Sequence, residues 1–206
     1  MKTVAILSQK GGAGKTTLAL HLAVAAEIEG KASALIDLDP QASATGWKDS
    51  REQPTPAVVS AQAVRLPQVL QAAKEAGAKL AIIDTAPLSE NSALAAARAA
   101  DFILIPCRPA ILDLRAISLS IDIARLANKS ATIVLNCIPP RGSLAQEATN
   151  AIKVYDVSIC PITIVQRVAY MNSLTLGQTV QEYEPNGKAA EEIKQLYTWL
   201  CKQVKI

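Results

Sequence analysis

The chain has 206 residues, half of them apolar, and a net charge of +3. It can bury one sizeable core, and no apolar run is long and unbroken enough to cross a bilayer. Cys107, Cys137, Cys160 and Cys201 are scattered without a Cys-x-x-Cys pair, so they read as small buried hydrophobes of a reducing compartment rather than as disulfides or metal ligands.

Residues 3–8 are a short apolar, β-branched run that predicts a buried strand, and residues 16–29 are an Ala/Leu-rich helical stretch. Between them stands Gln9-Lys10-Gly11-Gly12-Ala13-Gly14-Lys15-Thr16-Thr17. A strand, a glycine loop and a helix are the context of a phosphate-binding loop: the glycines let backbone N–H groups turn inward, and the helix start adds its dipole and unpaired donors. Lys15 is expected to bridge terminal phosphates and the Thr16 hydroxyl to ligate Mg²⁺. The strict form of the motif has glycine where this chain has Gln9, and it lacks the additional lysine, Lys10. His21, the single histidine, falls inside the helix and is expected to be structural or on the surface.

Two further apolar runs, 33–36 and 80–83, end in acids: Asp37-Leu38-Asp39-Pro40-Gln41 and Asp84-Thr85-Ala86-Pro87. In an open parallel sheet the ligand crevice lies beyond the carboxyl ends of the strands, so both sites should meet the glycine loop. A carboxylate there can hold a magnesium shell or position a water for in-line attack. The polar segment 42–56 reads as a mobile connection, and a weaker strand is expected at Ala57–Ser60. Runs at 102–106 and 132–135 complete an alternation with helical patterns. The expected fold is α/β, a mainly parallel sheet with helices on both faces, in one domain over residues 1–206.

Lys10-Gly11-Gly12-Ala13-Gly14-Lys15-Thr16-Thr17, Asp37-Leu38-Asp39-Pro40-Gln41 and Ile82-Ile83-Asp84-Thr85-Ala86-Pro87 resemble the deviant Walker A, Walker A′ and Walker B motifs of the ParA/MinD family of ATPases. Ile103-Leu104-Ile105-Pro106 with Pro109 and Leu112-Asp113 resembles the next strand and its proline-rich turn. The segments 167–170, 177–180 and 188–192 are similar to the family's C-terminal region.

The resemblance implies a cytoplasmic, Mg²⁺-dependent ATPase that forms a nucleotide-sandwich homodimer. Lys10 would reach the phosphates of the other subunit, Asp39 would orient or activate the attacking water, and Asp37 and Asp84, with Asp39, would support the Mg²⁺ shell. Asn136, after the 132–135 strand, would contact adenine. It also implies non-specific DNA binding in the ATP state, placing the protein on the nucleoid, and release through a ParB-like centromere-binding partner that speeds hydrolysis. No helix-turn-helix region precedes the glycine loop, so specific operator binding is not expected.

The whole net charge lies in residues 104–206. Arg167, Lys188 and Lys194 are the candidates for phosphate contacts, with Lys202 and Lys205 behind them. Two alternatives compete. A membrane-surface role, as in the MinD branch, would use the stripe Ile193, Leu196, Tyr197, Leu200 and Val204, but such a stripe is more often the packing face of a last helix, and no stable membrane association is expected. A biosynthetic ligase of related fold would need a nucleophile pair, for which Cys107 and His21 are the only conceivable partners.

Overall fold

The computed structural model describes the backbone of residues 1–206 and all side chains except those of residues 111–116, so Leu112 and Asp113 of the expected turn lie outside the described residues. The strands are β1 (Lys2–Ile6), β2 (Ser33–Asp37), β3 (Ala57–Ser60), β4 (Leu80–Asp84), β5 (Phe102–Cys107), β6 (Ala131–Leu135) and β7 (Ser158–Ile159). They form one seven-stranded sheet in the order β3-β2-β4-β1-β5-β6-β7. Every pairing is parallel. The helices are α1 (Lys15–Ile28), α2 (Ser43–Asp49), α3 (Leu66–Glu75), α4 (Glu90–Ala99), α5 (Ile111–Leu126), α6 (Leu144–Ile152), α7 (Val168–Thr175), α8 (Val180–Tyr183) and α9 (Lys188–Val204).

Strand geometry sends alternate side chains to opposite faces. Val4, Ile6, Leu35, Ile82, Leu104 and Val134 enter one core, which α1, α2, α7, α8 and α9 cover. Ala5, Ile36, Ile83, Ile103, Ile105 and Leu135 enter the other, under α3, α4, α5 and α6. Both faces are buried, so the central strands carry continuous apolar runs through their middles instead of alternating apolar with polar residues. The expected α/β sandwich is therefore present. The stripe Ile193, Leu196, Tyr197, Leu200 and Val204 is buried in the first core and is the packing face of α9.

Two local readings differ from the structure. The segment 42–56, expected as a mobile connection, contains α2. The Asp37 carboxylate accepts the Ala44 N–H at 3.0 Å and Trp47 is buried, so an acid and one large apolar side chain stabilise a helix that Gly46 and the polar surroundings disguise. The two-residue strand β7 was not anticipated, because two residues carry no periodicity.

His21 is fully buried in α1. The Val180 N–H donates to its Nε2 at 3.2 Å, so Nε2 carries no proton and Nδ1–H donates to the Thr17 carbonyl at 2.7 Å. The ring meets Tyr170 edge-on at 5.2 Å. Burial lowers its pKa to about 4. An unfolded histidine takes up its proton near pH 6.5, so the stability this group contributes is whole above that pH and falls as pH drops towards 4. The stability difference between wild type and His21→Asn is expected to shrink by about 3 kcal/mol between pH 7.5 and pH 4. Urea midpoints at the two pH values measure it, and a pH-independent difference would contradict the neutral buried ring.

Candidate functional site

The parallel register brings the acids together before any side-chain geometry is considered. Asp37 ends β2 and Asp84 ends β4, and the two are register partners. Ile6, the last residue of β1, is the partner of Asp84 on the other side. The glycine loop leaves the same end of the sheet.

Gly14 stands at the N-terminus of α1 with φ +92°, a left-handed conformation that glycine adopts without strain. A Cβ there would lie 2.1 Å from Asn136 Nδ2, so the position also needs the space that glycine leaves. Asn136 Nδ2 donates to the Ala13 carbonyl at 2.8 Å and ties the loop to the end of β6. No side chain caps α1 and no acid lies in its first turn, which leaves the helix start electropositive. Lys15 folds back over the loop, its Nζ donating to the Lys10 carbonyl at 3.3 Å. Burial lowers the Lys15 pKa, against the pull of Asp84 and Asp39.

Thr16 Oγ1 donates to Asp84 Oδ2 at 2.6 Å. The other oxygen, Oδ1, is buried without a hydrogen-bond partner. Burial raises the Asp84 pKa to about 7, with the Thr16 hydrogen bond acting the other way and the Asp37 charge adding to the rise. A buried carboxylate oxygen lacking a donor is costly, and a cation beside it would offset that cost. Asp37 has both oxygens engaged, Oδ1 by the Asp39 N–H at 3.0 Å and Oδ2 by the Ala44 N–H. Burial raises its pKa too. Asp39 is half-buried, and its Oδ1 accepts the Gln41 N–H at 2.9 Å.

A cavity of about 850 Å³ opens over the loop, lined by Gly11, Gly12, Gly14, Lys15, Thr16, Thr17, Asp39 and Asn136. Ala13 is buried just beneath and Lys10 is half-buried next to Gly11. The cavity is large enough for a nucleotide. Its walls include Trp47, Arg108, Arg167, Tyr170 and Met171, of which only Arg167 was singled out from sequence. Sequence reasoning also missed Ser120, whose Oγ accepts the Gln9 N–H at 3.3 Å, and Thr85, whose hydroxyl donates to the Ile6 carbonyl at 2.8 Å. Ser120 braces the loop from α5, and Thr85 holds the end of β1 that leads into it. A lone tryptophan in a polar stretch was the one available signal for Trp47.

Arg167, Lys188 and Lys194 surround a separate cavity of about 760 Å³, interleaved with Glu29, Glu191 and Glu192. Lys188 and Lys194 are exposed, whereas Arg167 is held by Glu192, with its Nε donating to Oε1 at 3.1 Å. Cys107 and His21 do not form a nucleophile pair: the ring is closed off by Thr17 and Val180, and burial pushes the Cys107 thiol up to about 12.

Without ligands, Asp84 keeps its proton in the folded chain to about pH 7 but loses it near pH 4 when unfolded. The fold therefore loses stability from this group as pH rises across that window, and Asp84→Asn removes the loss. The advantage of the variant over wild type should widen by on the order of 2 kcal/mol from pH 5 to pH 8 in ligand-free protein. Denaturant titrations check this, and a constant gap would contradict the buried, raised carboxyl.

Comparisons with known proteins agree with the fold. Over 144 residues the chain is 37% identical to Maintenance of carboxysome distribution protein A of Gloeobacter kilaueensis, covering 68% of this chain and 65% of that protein. To the protein of the same name from Halothiobacillus neapolitanus it is 28% identical over 203 residues, 94% of each chain. Its fold matches an ATP complex of Cyanothece McdA with a TM-score of 0.78 at 18% identity, covering 100% of this chain and 97% of that one. Residues 4–180 match the CobQ/CobB/MinD/ParA nucleotide binding domain, and the chain belongs to that family.

Proposed function

We propose that residues 1–206 act as one ATP-driven positioning switch of the ParA type. The observation that carries this reading is the convergence of an uncapped helix start, the Thr16 hydroxyl and the unpartnered Asp84 oxygen at one end of the sheet. In this reading the N–H groups of Gly11 to Thr17 cradle the ATP phosphates and Lys15 swings from the Lys10 carbonyl to the terminal phosphates.

Thr16 and Asp84 would hold Mg²⁺. The Thr16 O–H donates to Asp84, so the lone pairs of its oxygen remain available to a cation. The described residues hold no group of three or more metal-ligating His, Cys, Asp or Glu side chains, which suits an ion that takes its other ligands from phosphate and water. Bound Mg²⁺ would neutralise charge on the phosphate oxygens. Asp37 serves best by fixing the Asp39 turn, and Asp39 would orient the attacking water. Asn136 already donates its amide nitrogen to the Ala13 carbonyl, so its first task is to shape the loop, and its Oδ1 would be left for adenine.

Lys10, next to the cavity-lining Gly11, would deliver its charge to the phosphates of a second copy, which makes ATP binding and dimerisation one event. The ATP form would bind DNA through phosphate contacts from Lys188 and Lys194 and from Arg167 where Glu192 releases it. A ParB-like or otherwise cargo-bound partner would trigger hydrolysis and release. The relatives' names make a protein compartment as reasonable a cargo as a plasmid. A membrane-surface role is less well supported, because the α9 stripe is already docked.

Lys15→Ala is expected to lose nucleotide affinity by at least about tenfold, one charge-assisted phosphate contact having gone. Lys10→Ala should keep that affinity yet remain monomeric with ATP in light scattering. An ATP dimer of normal mass would remove its role across the interface. Binding to a random-sequence duplex should require ATP and weaken steeply with salt. Equal binding with ADP would overturn the switch.

A further inference from the structure

We propose that Arg51 and Glu182 form a latch that positions Asp39 for hydrolysis, although neither residue reaches the nucleotide cavity. The two lie 131 residues apart in sequence and pair two-handed: Nη1 donates to Oε2 at 2.9 Å and Nη2 to Oε1 at 2.6 Å. The Arg51 side chain is only 3% exposed and Glu182 22%. The fork geometry fixes direction as well as distance, which a lysine could not do.

The latch joins the two halves of the site. On one side Arg51 follows Ser50, the C-cap of α2, and lies over the Trp47 ring at 4.8 Å. That helix begins with the Ala44 N–H on Asp37, whose other oxygen holds the Asp39 N–H. On the other side Glu182 belongs to α8, where its Oε2 accepts the Thr179 N–H at 2.9 Å in a capping box. The same helix start is tied to α1, the phosphate-loop helix, through Val180 N–H and His21.

Two further contacts close the joint. Arg51 Nη1 donates to the Gly177 carbonyl at 3.0 Å, and Trp47 Nε1 to the Gln178 carbonyl at 3.2 Å. Gly177, at φ +66°, lies so close that a Cβ would come within 2.3 Å of the Ser50 carbonyl oxygen. Asp39 sits on a turn whose β2 end is fixed to the sheet by the Leu38 N–H on the Asp84 carbonyl at 2.9 Å and by the Asp39 N–H on Asp37, and whose other end runs into α2 through the Ala42 N–H on the Asp39 carbonyl at 2.8 Å and the Gln41 N–H on Asp39 Oδ1. The latch steadies that α2 end, and without it α2 and the second half of the turn can shift while the loop stays put. A displacement of about 1 Å at a water-positioning group can cost up to about a hundredfold in rate.

This inference rests on the ATPase reading above, and one experiment separates the two. Steady-state hydrolysis and nucleotide affinity are measured for wild type, Arg51→Ala, Asp39→Ala and the double variant. The expected result is a turnover lowered at least about tenfold by Arg51→Ala, with nucleotide affinity within about twofold of wild type, and little further loss when Arg51→Ala is added to Asp39→Ala. The same fold-loss in both backgrounds, or an unchanged turnover in Arg51→Ala, overturns the latch. If Arg51→Ala fails to fold by circular dichroism, Arg51→Lys goes through the same cycle, with an intermediate loss expected and additivity again decisive. A wild type that binds and hydrolyses Mg·ATP beside an additive cycle removes the latch alone, whereas a wild type that does neither removes both readings.

Discussion

The hydrogen bond from Thr16 Oγ1 to Asp84 joins the first turn of α1 to the end of β4, and the rest of the site is arranged around it. It exists because the parallel register sets Ile6, Asp84 and Asp37 side by side on three adjacent strands. Each carboxylate is fully buried, and each is raised in pKa by that burial. When Asp84 is ionised, its oxygen without a donor carries an electrostatic cost that a cation beside it would offset.

The contrast between the two buried acids explains their different tasks. Asp37 has backbone N–H groups on both oxygens, which favour its ionised form and make it a fixed part of the turn. Asp84 has one hydroxyl and an open oxygen, so its charge depends on what binds beside it. In the proposed site the same strand-end position would thus give a structural brace in one case and a ligand-responsive group in the other. Lys15 completes the balance, since burial weakens its hold on a proton while both Asp84 and Asp39 strengthen it.

Much of the architecture was legible because fully buried parallel strands leave a simple trace, a short apolar run bounded by turn residues. The runs around β1, β2, β4, β5 and β6 all showed it, and the acids that end β2 and β4 marked the end of the sheet from which the glycine loop leaves. The loop itself was legible from Gly11, Gly12, Gly14, Lys15 and Thr16, whose spacing is dictated by backbone geometry. What escaped were contacts between distant segments. Nothing local in the sequence says that Arg51 meets Glu182, that Ser120 holds Gln9, or that Asn136 fills the space beside Gly14. Helix α2 escaped for a related reason: it depends on an acid six residues before it and on the burial of Trp47 against other elements. The basic residues near the C-terminal end were counted as charges, but the structure pairs Arg167 with Glu192 and leaves Lys188 and Lys194 to face solvent.

The most direct test of the account is a calorimetric titration of ATP into the wild-type chain, once with Mg²⁺ and once with the metal chelated. The account predicts one nucleotide per chain, bound at least about tenfold more tightly with Mg²⁺ because the cation would then offset the burial of the Asp84 oxygen that lacks a donor. Binding of equal strength with and without the metal, or no binding at all, would contradict it.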